Sequence, residues 1–378
     1  RLLNYVETRT TSMADAPWHN DASVYADPDH LAREQQILFR QHPILLGFAS
    51  NWTKPGAFST DDYAGVPILV SRGRDGTLRA LLNVCRHRGA KVAQGCGEVR
   101  AFQCPYHAWT YDLSGKTIAI PDERCFPNVR DERSSLVALP LCEKYGLVWV
   151  MPTPDGSSSF DIDPWLGGLG PELAAYGFDS WSFFDKREIP ETMNWKIVMD
   201  TFHEGYHISF LHRDSLRAIF YGDVADFEPF GLNHRLTLPR KKLDRLKAQP
   251  EENWDLMWNT AIVYSLFPNT LLMIQGDHVE LARVFPQYGR VDRSVMELSL
   301  YIPQAPRTEE ERTHWDKNME LVLDVVTGED FPAGRTIQIG LTSGAQTHMV
   351  FGRNEPAMIH YHQSMRAALR RDHVGDSA

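Results

Sequence analysis

Two short stretches of this 378-residue chain contain side chains that bind metals. The first stretch holds Cys85 and His87, and the second holds Cys104 and His107. Each stretch therefore supplies one thiolate and one imidazole. Mixed pairs from two loops suit a [2Fe–2S] cluster in which two histidines replace two cysteines on one iron. We predict that the two loops together hold such a cluster, which neither loop could hold alone.

A structural zinc ion is the main alternative for these four side chains. Zinc fingers and ribbons usually pair cysteine with cysteine and histidine with histidine, whereas both pairs are mixed here. Gly89 and Pro105 favour turns beside the ligands, which argues against a chance coincidence. The sequences CRHRG at 85–89 and CPYHAW at 104–109 resemble the Rieske domain of ring-hydroxylating oxygenase α subunits. This resemblance alone does not distinguish an oxygenase from a small Rieske electron carrier.

A second group of histidines and acids lies between residues 194 and 212. On a regular helix Glu204 shares a face with His207, and His203 shares it too. His207 and His212 are five residues apart, which is about 140° around a regular helix. If both bind one ion, the helix must end, kink or contain a π-type turn. Spacing alone leaves two pairs open, His203 with His207 or His207 with His212.

The sequence Asn-Trp-Lys that begins at Asn194, followed by Glu-x-Tyr-His-x4-His, resembles the mononuclear iron motif of the same α subunits. The resemblance implies that His207 and His212 are iron ligands, which leaves His203 outside the metal set. It also implies that Glu204 links the two metal centres and that Asn194 lies near the iron.

The third iron ligand is expected to be a carboxylate, because two histidines and one carboxylate leave positions open for O2 on non-haem Fe(II). Asp324, Glu329 and Asp330 all lie near the end of a late predicted helix. In the family the carboxylate precedes a Gln-x-Gly segment, and here the segment 338–340 follows Asp330 at a similar spacing. The resemblance therefore favours Asp330, with Glu329 as the alternative.

Composition describes an ordinary globular protein, with 43% hydrophobic and 23% charged residues. The net charge of −10 and the lack of a long basic tract argue against nucleic-acid binding. Five cysteines, an odd number, argue against a disulfide framework and fit a reducing cytoplasm. No apolar run approaches the ~20 residues that span a bilayer, and no signal-peptide pattern is present. We therefore predict a cytoplasmic protein without a membrane segment.

Length and turn content predict an N-terminal segment and helix at 1–42, a Rieske domain at 43–155 and a catalytic domain at 156–378. The middle region consists of short β-rich runs cut by turns, with the cluster loops at their tips. The Pro-, Gly- and Ser-rich segment 151–159 is the predicted linker. The fold class is therefore α+β, with an antiparallel β Rieske domain. For the catalytic domain the resemblance implies a helix-grip (START-like) fold of antiparallel sheet and helices.

Runs at 261–274, 279–285 and 295–302 predict strands of a second antiparallel sheet, and Thr308 with Glu311 predicts a capped helix start.

The strongly charged segment 240–252 is predicted to be a solvated surface segment. Residues beside the histidine motif and on the later sheet are candidates for a substrate pocket, although each could equally belong to the core. They are Met199, Phe202, Phe210, Ile262 and Asn269.

The resemblance implies the terminal oxygenase of a multicomponent system that uses O2. Electrons from NAD(P)H would arrive through a separate reductase or ferredoxin, because the sequence has no Rossmann fingerprint with which to take hydride itself. The implied reactions are mono- or dihydroxylation, or oxidative N- or O-dealkylation such as demethylation. The substrate would be a small organic molecule, aromatic or N-alkyl. The Glu-x-Tyr-His variant and the moderate length resemble members that attack quaternary amines or demethylate.

In the family the short electron route crosses between neighbouring subunits of a head-to-tail trimer. Here it would run from His107 through Glu204 to His207 of the adjacent chain. The implied assembly is a homotrimer, with or without an additional β subunit. The alternative function is a Rieske electron-transfer protein whose helix-grip domain binds a ligand without oxygenase chemistry.

Overall fold

The computed structural model describes residues 1–129 and 135–371. Over these residues the α-helices are α1 (Leu2–Thr8), α2 (Pro28–Ile37), α3 (Asp163–Leu166), α4 (Gly170–Ala175), α5 (Trp195–Asp200), α6 (Leu256–Asn259), α7 (Glu309–Val325), α8 (Phe331–Thr342) and α9 (Pro356–Arg371). The β-strands are β1 (Trp18–Asp21), β2 (Ile44–Phe48), β3 (Ala57–Asp61), β4 (Ile68–Arg72), β5 (Leu78–Leu82), β6 (Cys96–Glu98), β7 (Phe102–Gln103), β8 (Thr110–Tyr111), β9 (Thr117–Ala119), β10 (Ala138–Leu139), β11 (Leu141–Lys144), β12 (Leu147–Val150), β13 (Ser182–Glu191), β14 (Asp226–Phe230), β15 (Asn233–Pro239), β16 (Thr260–Leu266), β17 (Thr270–Ile274), β18 (Val279–Pro286), β19 (Ser294–Ile302) and β20 (His348–Phe351). Within these two ranges, none of the helices combines the length and the hydrophobicity that crossing a bilayer requires.

Packing divides the chain into two compact units. One unit consists of Gln35–Pro164 together with Pro171–Ser180. The other consists of Arg1–Glu34, Trp165–Gly170 and the chain from Trp181 onward. The domain boundaries predicted after residues 42 and 155 stay predictions.

The unit that contains Gln35–Pro164 is built from three antiparallel sheets. Their strand orders are β10-β5-β4-β3-β6, β11-β12-β2 and β7-β8-β9. The hairpin turn between β4 and β5 forms because Gly76 adopts a φ of 76° and the Asp75 carboxylate accepts a hydrogen bond from the N–H of Thr77 (3.1 Å). Strand β5 precedes the first cysteine–histidine loop, and β7 and β8 flank the second. Both loops therefore lie at strand ends.

The other unit is organised by a seven-stranded sheet in the order β13-β19-β18-β17-β16-β15-β14. Every neighbouring pair is antiparallel. Ala261 and Val263 of β16 line a cavity that Val322 and Val325 of α7 also line. Helix α7 therefore packs across one face of the sheet. The predicted α+β class, with an antiparallel sheet that wraps over a helix, is confirmed.

Helix α5 is short, with six residues after its N-cap, Asn194. The side chain of Asn194 accepts a hydrogen bond from the N–H of Lys196 (3.0 Å), and the helix ends at Asp200. The chain then turns and forms a 3₁₀ turn at His207–Ser209. The helix therefore ends before both histidines of the five-residue pair, which is one of the three conformations that their spacing permits.

A π-helical turn, Val326–Asp330, separates α7 from α8. Pro332 in the first turn of α8 accounts for the break, because proline has no N–H to donate to the carbonyl of Gly328. At its other end, α7 has the predicted cap, in which the Thr308 hydroxyl accepts from the N–H of Glu311 (3.1 Å). Turns of the π type are frequent at functional sites.

A buried ion pair anchors α5 to α2. Lys196 Nζ lies 2.8 Å from Glu34, and the two side chains are 1% and 0% exposed. The indole N–H of Trp195 also donates to Glu34 (2.9 Å). Burial opposes ionisation of the Glu34 carboxyl, but Lys196 and His30 outweigh burial and lower its pKa.

Replacing Lys196 with methionine is expected to lower the free energy of unfolding by about 3–5 kcal/mol, because the Glu34 charge would stay buried without a counter-charge. Urea denaturation measures this change. The double variant Lys196→Met/Glu34→Leu is expected to recover most of the loss, since it removes both charges. A single variant that loses less than about 1 kcal/mol would show that the pair behaves like an exposed one.

Candidate metal centres

The two cysteine–histidine loops close with the same pair of backbone hydrogen bonds. The N–H of Gly89 donates to the carbonyl of Cys85 (3.0 Å), and the N–H of Ala108 donates to the carbonyl of Cys104 (2.9 Å). In both loops the cysteine N–H donates to the carbonyl five residues further on, at 2.8 Å. Gly89 and Ala108 hold the equivalent left-handed position, with φ of 83° and 57°. Two copies of one turn therefore present the ligands.

The two loop histidines face each other beside an aromatic wall. The ring centroids of His87 and His107 are 4.6 Å apart, and His87 is stacked on Trp109 at 5.0 Å. Burial, His107 and the positive charge of Arg88 lower the pKa of His87, which keeps its ring neutral at pH 7. Its Nδ1 is buried without a hydrogen-bond partner among the described residues. A neutral imidazole with a free nitrogen is the form that binds a metal.

The two loop thiols are buried and share one polar neighbour. The Tyr111 hydroxyl accepts from the N–H of Arg86 (2.9 Å), so its own hydrogen can be donated to Cys85 Sγ at 3.2 Å. Burial raises the pKa of the Cys104 thiol, and Cys85 beside it adds to that shift. Two soft sulfur ligands and two imidazoles from adjacent loops fit the mixed set of a [2Fe–2S] cluster.

Replacing Tyr111 with phenylalanine is expected to lower the reduction potential of this cluster. A hydrogen bond to a charged group contributes about 1.5–3 kcal/mol, so the loss amounts to at most about 130 mV in a one-electron couple. Redox titration followed by the cluster spectrum measures the shift, and iron and sulfide contents are expected to stay unchanged. Tyr106→Phe is the matched control, because its hydroxyl contacts Arg88 and no sulfur. Equal potentials in the two variants would contradict the prediction.

A second metal-binding set lies in the other unit. Among the described residues, one group of three potential ligands has all its ligand atoms within 4.8 Å, and it consists of His207, His212 and Asp330. The Nε2 atoms of the two histidines are 3.1 Å apart. Asp330 Oδ1 lies 3.2 Å from His212 Nε2 and 3.6 Å from His207 Nε2. The three donor atoms therefore converge on one point.

Further carboxylates fix the orientation of both histidine rings. Nδ1–H of His212 donates to Glu329 (2.7 Å), which also accepts from the hydroxyl of Ser215 (2.9 Å). Nδ1–H of His207 donates to Glu204. A carboxylate on Nδ1 keeps the proton there and leaves the Nε2 lone pair for a metal. Glu329 therefore orients a ring, while Asp330 joins the converging donor atoms.

The charge balance of this set favours a cation. Burial lowers the pKa of His212, but the carboxylates of Asp330 and Glu329 raise it by more, so its pKa lies above the ordinary value. Oδ1 of Asp330 is buried without a hydrogen bond to the described residues. Two imidazole nitrogens and one carboxylate oxygen form the ligand set of non-haem Fe(II).

His203 and Asn194, both in the histidine motif, lie apart from the converging atoms. His203 is unexposed, its Nε2 bonds with the hydroxyl of Ser265 (3.0 Å), and burial lowers its pKa to about 3. It is therefore a neutral core side chain, and of the two pairs that spacing left open, the structure brings together His207 and His212. Asn194 caps α5, and its amide donates to the carbonyl of Tyr25 (3.0 Å), so it does not line the cavity.

One cavity opens beside the converging atoms. Its volume is about 190 Å³, and His207, His212 and Asp330 lie in its wall. This is smaller than the ~300–1,000 Å³ of pockets for drug-sized ligands, which suits a small molecule. The apolar part of the wall includes Ile208, Leu216, Phe220, Met273, Val322 and Val325.

The structure brings one of the five pocket candidates, Phe202, to this cavity. Met199 is unexposed in the core around α5. Phe210 is 66% exposed on the surface. Met199 belongs to α5 and Phe210 follows the 3₁₀ turn, so their place beside the motif in sequence brings neither residue to the cavity.

The other two candidates lie on the later sheet but face elsewhere. Ile262 alternates with Ala261 and Val263, which line the cavity, so its side chain is on the opposite face of β16. Asn269 lies between β16 and β17, where its amide donates to the carbonyl of Val284 (3.0 Å). Asn269 therefore stabilises the strand connection.

The charged segment 240–252 is not uniformly solvated. Leu243 and Leu246 are buried in its 3₁₀ helix, and Arg240 lines the cavity. The prediction of a solvated surface segment is wrong for these three residues. The alternation of Leu238 and Arg240 at the end of β15, where both face the cavity, is the signal that could have identified them.

The family model of the ring hydroxylating alpha subunit (catalytic domain) matches residues 178–371, and that of the Rieske [2Fe-2S] domain matches 44–132. The chain belongs to the α subunits of Rieske non-haem iron oxygenases. The cofactors of this α subunit are accordingly a Rieske [2Fe–2S] cluster and a mononuclear iron, which confirms both predictions and excludes the zinc alternative. Its enzyme class, a Rieske-type non-haem iron oxygenase, is confirmed as well.

Similar proteins include enzymes named for small ammonium compounds. This α subunit is 24% identical over 324 residues to choline monooxygenase of Beta vulgaris (85% of this chain, 70% of that protein). It is 24% identical over 330 residues to the carnitine monooxygenase oxygenase subunit of Escherichia coli K12 (86% of this chain, 85% of that protein). A crystal structure of a quaternary ammonium Rieske monooxygenase with L-carnitine superposes with a TM-score of 0.78 at 20% identity, covering 94% of this chain and 96% of that one. At this identity the superposition shows the shared fold.

Proposed function

We propose that this α subunit is the terminal oxygenase of a multicomponent system in the cytoplasm. It uses O2 and electrons that come from NAD(P)H through a separate reductase or ferredoxin. It hydroxylates a small organic substrate, by mono- or dihydroxylation or by oxidative N- or O-dealkylation. The observation that carries the proposal is the convergence of His207, His212 and Asp330 on the wall of a cavity.

In this proposal Cys85, His87, Cys104 and His107 hold the cluster. His207, His212 and Asp330 hold the iron. The position of Glu329 supports Asp330 as the third ligand, because Glu329 Oε2 is already bonded to His212 Nδ1 and Ser215. Fe(II) with two histidines and one carboxylate offers open positions for O2.

The residues around the iron ligands have two tasks. Glu204 and Glu329 keep the Nδ1 protons of the two histidines in place, so that both rings hold one orientation during turnover. The apolar wall formed by residues such as Ile208 and Val322 excludes water and holds the substrate beside the ligands.

The electron route proposed for this chain crosses between subunits of a trimer. It runs from His107 of the partner subunit through Glu204 to His207. The hydrogen bond between Glu204 and His207 Nδ1 supports the last step. Two exposed aromatic side chains lie next in sequence to the two histidines of this route, Tyr106 (59% exposed) and Tyr206 (49% exposed). Such side chains suit an interface between two copies of the chain.

The substrate class that we favour is an N-alkyl compound, because the similar choline and carnitine monooxygenases are named for ammonium substrates. Oxidative loss of an N-methyl group is the corresponding reaction. Hydroxylation of a small aromatic ring is the second candidate, and the apolar cavity wall favours it.

Metal analysis of anaerobically purified protein tests the proposal. About three irons and two acid-labile sulfides per chain, with a Rieske-type spectrum on reduction, are expected. Substrate-dependent O2 consumption with a ferredoxin and reductase completes the test. About two irons per chain, with no O2 consumption after Fe(II) is added back, would favour the electron-carrier alternative.

A further inference from the structure

Arg240 places a guanidinium group in the cavity wall that also contains the proposed iron ligands. It follows β15 directly and is half-buried. Its Nε donates to the carbonyl of Thr260 (3.2 Å). Its Nη2 donates to both the carbonyl (3.0 Å) and the side-chain oxygen (2.8 Å) of Gln275. Three hydrogen bonds therefore fix the plane of the group.

The remaining nitrogen of this group, Nη1, has no hydrogen bond to a described residue. The ring of Phe220, also in the cavity wall, packs 5.2 Å from Arg240 Cζ and closes one side. Nη1 is not one of the fully buried polar atoms that lack a partner, so it is accessible and free to donate to an acceptor that enters the cavity. Guanidinium nitrogens only donate, which excludes a cationic group as that partner.

The two carboxylates whose charges act on Arg240, those of Asp277 and Glu280, are also bonded to another cation. His278 bonds with Asp277 (2.7 Å) and with Glu280 (3.2 Å), and these two acids outweigh burial and raise the pKa of His278 to about 9. His278 is therefore charged at neutral pH. Glu280 also accepts from the amide of Gln275 (3.2 Å). Within the described residues, Arg240 has no ion pair of its own.

We propose that Arg240 binds a carboxylate group of the substrate. The inference rests on the proposed function, because it takes this cavity as the substrate site. A carboxylate is the acceptor that gains most from a fixed guanidinium, since the hydrogen bond is charge-assisted and Nη1 has no other acceptor among the described residues. The apolar body of the substrate lies against Phe202, Val322 and Val325, beside the iron ligands.

Matched pairs of small ligands test the inference without turnover. Each pair contains a carboxylate and its amide, which have nearly the same shape: benzoate and benzamide, cinnamate and cinnamamide, and N,N-dimethylglycine and its amide. Titration calorimetry on the anaerobically purified protein, whatever its iron content, is expected to show at least one carboxylate that binds about tenfold or more tightly than its amide, the size of a charge-assisted hydrogen bond. Choline serves as the cationic probe and is expected to bind more weakly than that carboxylate.

Two substitutions assign the preference to Arg240. Arg240→Gln is expected to abolish the difference between the acid and the amide. Arg245→Gln removes the same charge from an exposed position outside the cavity wall and is expected to keep the difference. If Arg240→Gln does not fold, Arg240→Lys keeps the charge but loses the fixed fork, and a reduced preference is expected.

The inference is overturned if no pair shows a preference for the acid, or if the preference survives in Arg240→Gln. Failure of the proposed function has a different signature. In that case metal analysis or O2 consumption fails, whereas the binding preference is measured independently of both.

Discussion

The Asp330→Ala variant is expected to lose the mononuclear iron and to keep the Rieske cluster. Asp330 supplies the only carboxylate oxygen among the three converging atoms, and without it two imidazoles remain. Changing a residue that merely orients a metal ligand costs about 10–100-fold in metal affinity, so losing the ligand itself should cost more than about 100-fold. Iron per chain is expected to fall from about three to about two, with sulfide unchanged and turnover below about 1%.

Two neighbouring acids provide controls on the same helix segment. Asp324→Ala changes an exposed acid outside the cavity wall and should retain all iron and activity. Glu329→Gln removes the charge beside His212 Nδ1 but keeps an oxygen that can accept its N–H, so this variant should retain most of its iron. Full iron content in Asp330→Ala, combined with loss in Glu329→Gln, would reverse the assignment of the third ligand.

The Glu204→Gln variant is expected to keep both metal centres and to lose most turnover. Glu204 accepts hydrogen bonds from His207 Nδ1 and from the backbone N–H groups of Tyr206 and His207. Glutamine preserves the shape of the side chain but removes the charge that orients the ring. Turnover is expected to fall by about 10–100-fold. Single-turnover oxidation of the pre-reduced cluster, in the presence of substrate and O2, should slow by the same factor.

Glu355→Gln is the matched control. Glu355 is an acid that interacts electrostatically with Glu204, but its carboxylate accepts a hydrogen bond from the N–H of Gly352 and none from a proposed iron ligand. Its cluster oxidation rate is expected to stay close to that of the unchanged protein. Undiminished cluster oxidation in Glu204→Gln would remove Glu204 from the electron route. A loss of iron in that variant would show instead that Glu204 acts only through metal binding.

Local patterns predicted the strands and the metal-binding motifs because both depend on neighbours in sequence. The β-rich runs at 67–70 and 78–84, with Arg74, Asp75 and Gly76 between them, indicate a hairpin, and the structure pairs β4 with β5 around that turn. The cluster loops were equally local, since each ligand pair lies within one tight turn.

The cavity could not be predicted in the same way, because it depends on which face of each strand turns inward. The apolar run on β16 predicts Ile262 as a lining residue, yet its neighbours Ala261 and Val263 line the cavity. A shift of one residue exchanges the two faces of a strand, and apolar residues occur on both faces of β16. Arg240 was missed for a related reason, since its charge suggested solvent while its position at the end of β15 turned it inward.

Because of the π-helical turn Val326–Asp330, the active site depends on the exact number of residues in that turn. In this turn two consecutive residues contact the two nitrogens of one ring. Glu329 contacts His212 Nδ1, and Asp330 contacts His212 Nε2. Gly328 is exposed, and a side chain there would meet nothing within 4 Å, so the position tolerates change of residue type. Its deletion would leave one residue too few for a π-type turn, so the chain would have to close an ordinary helical turn and shift both acids relative to α7. In the gene, loss of the three nucleotides that encode Gly328 would therefore leave a chain that still folds but no longer binds iron, a more complete separation than most substitutions could give.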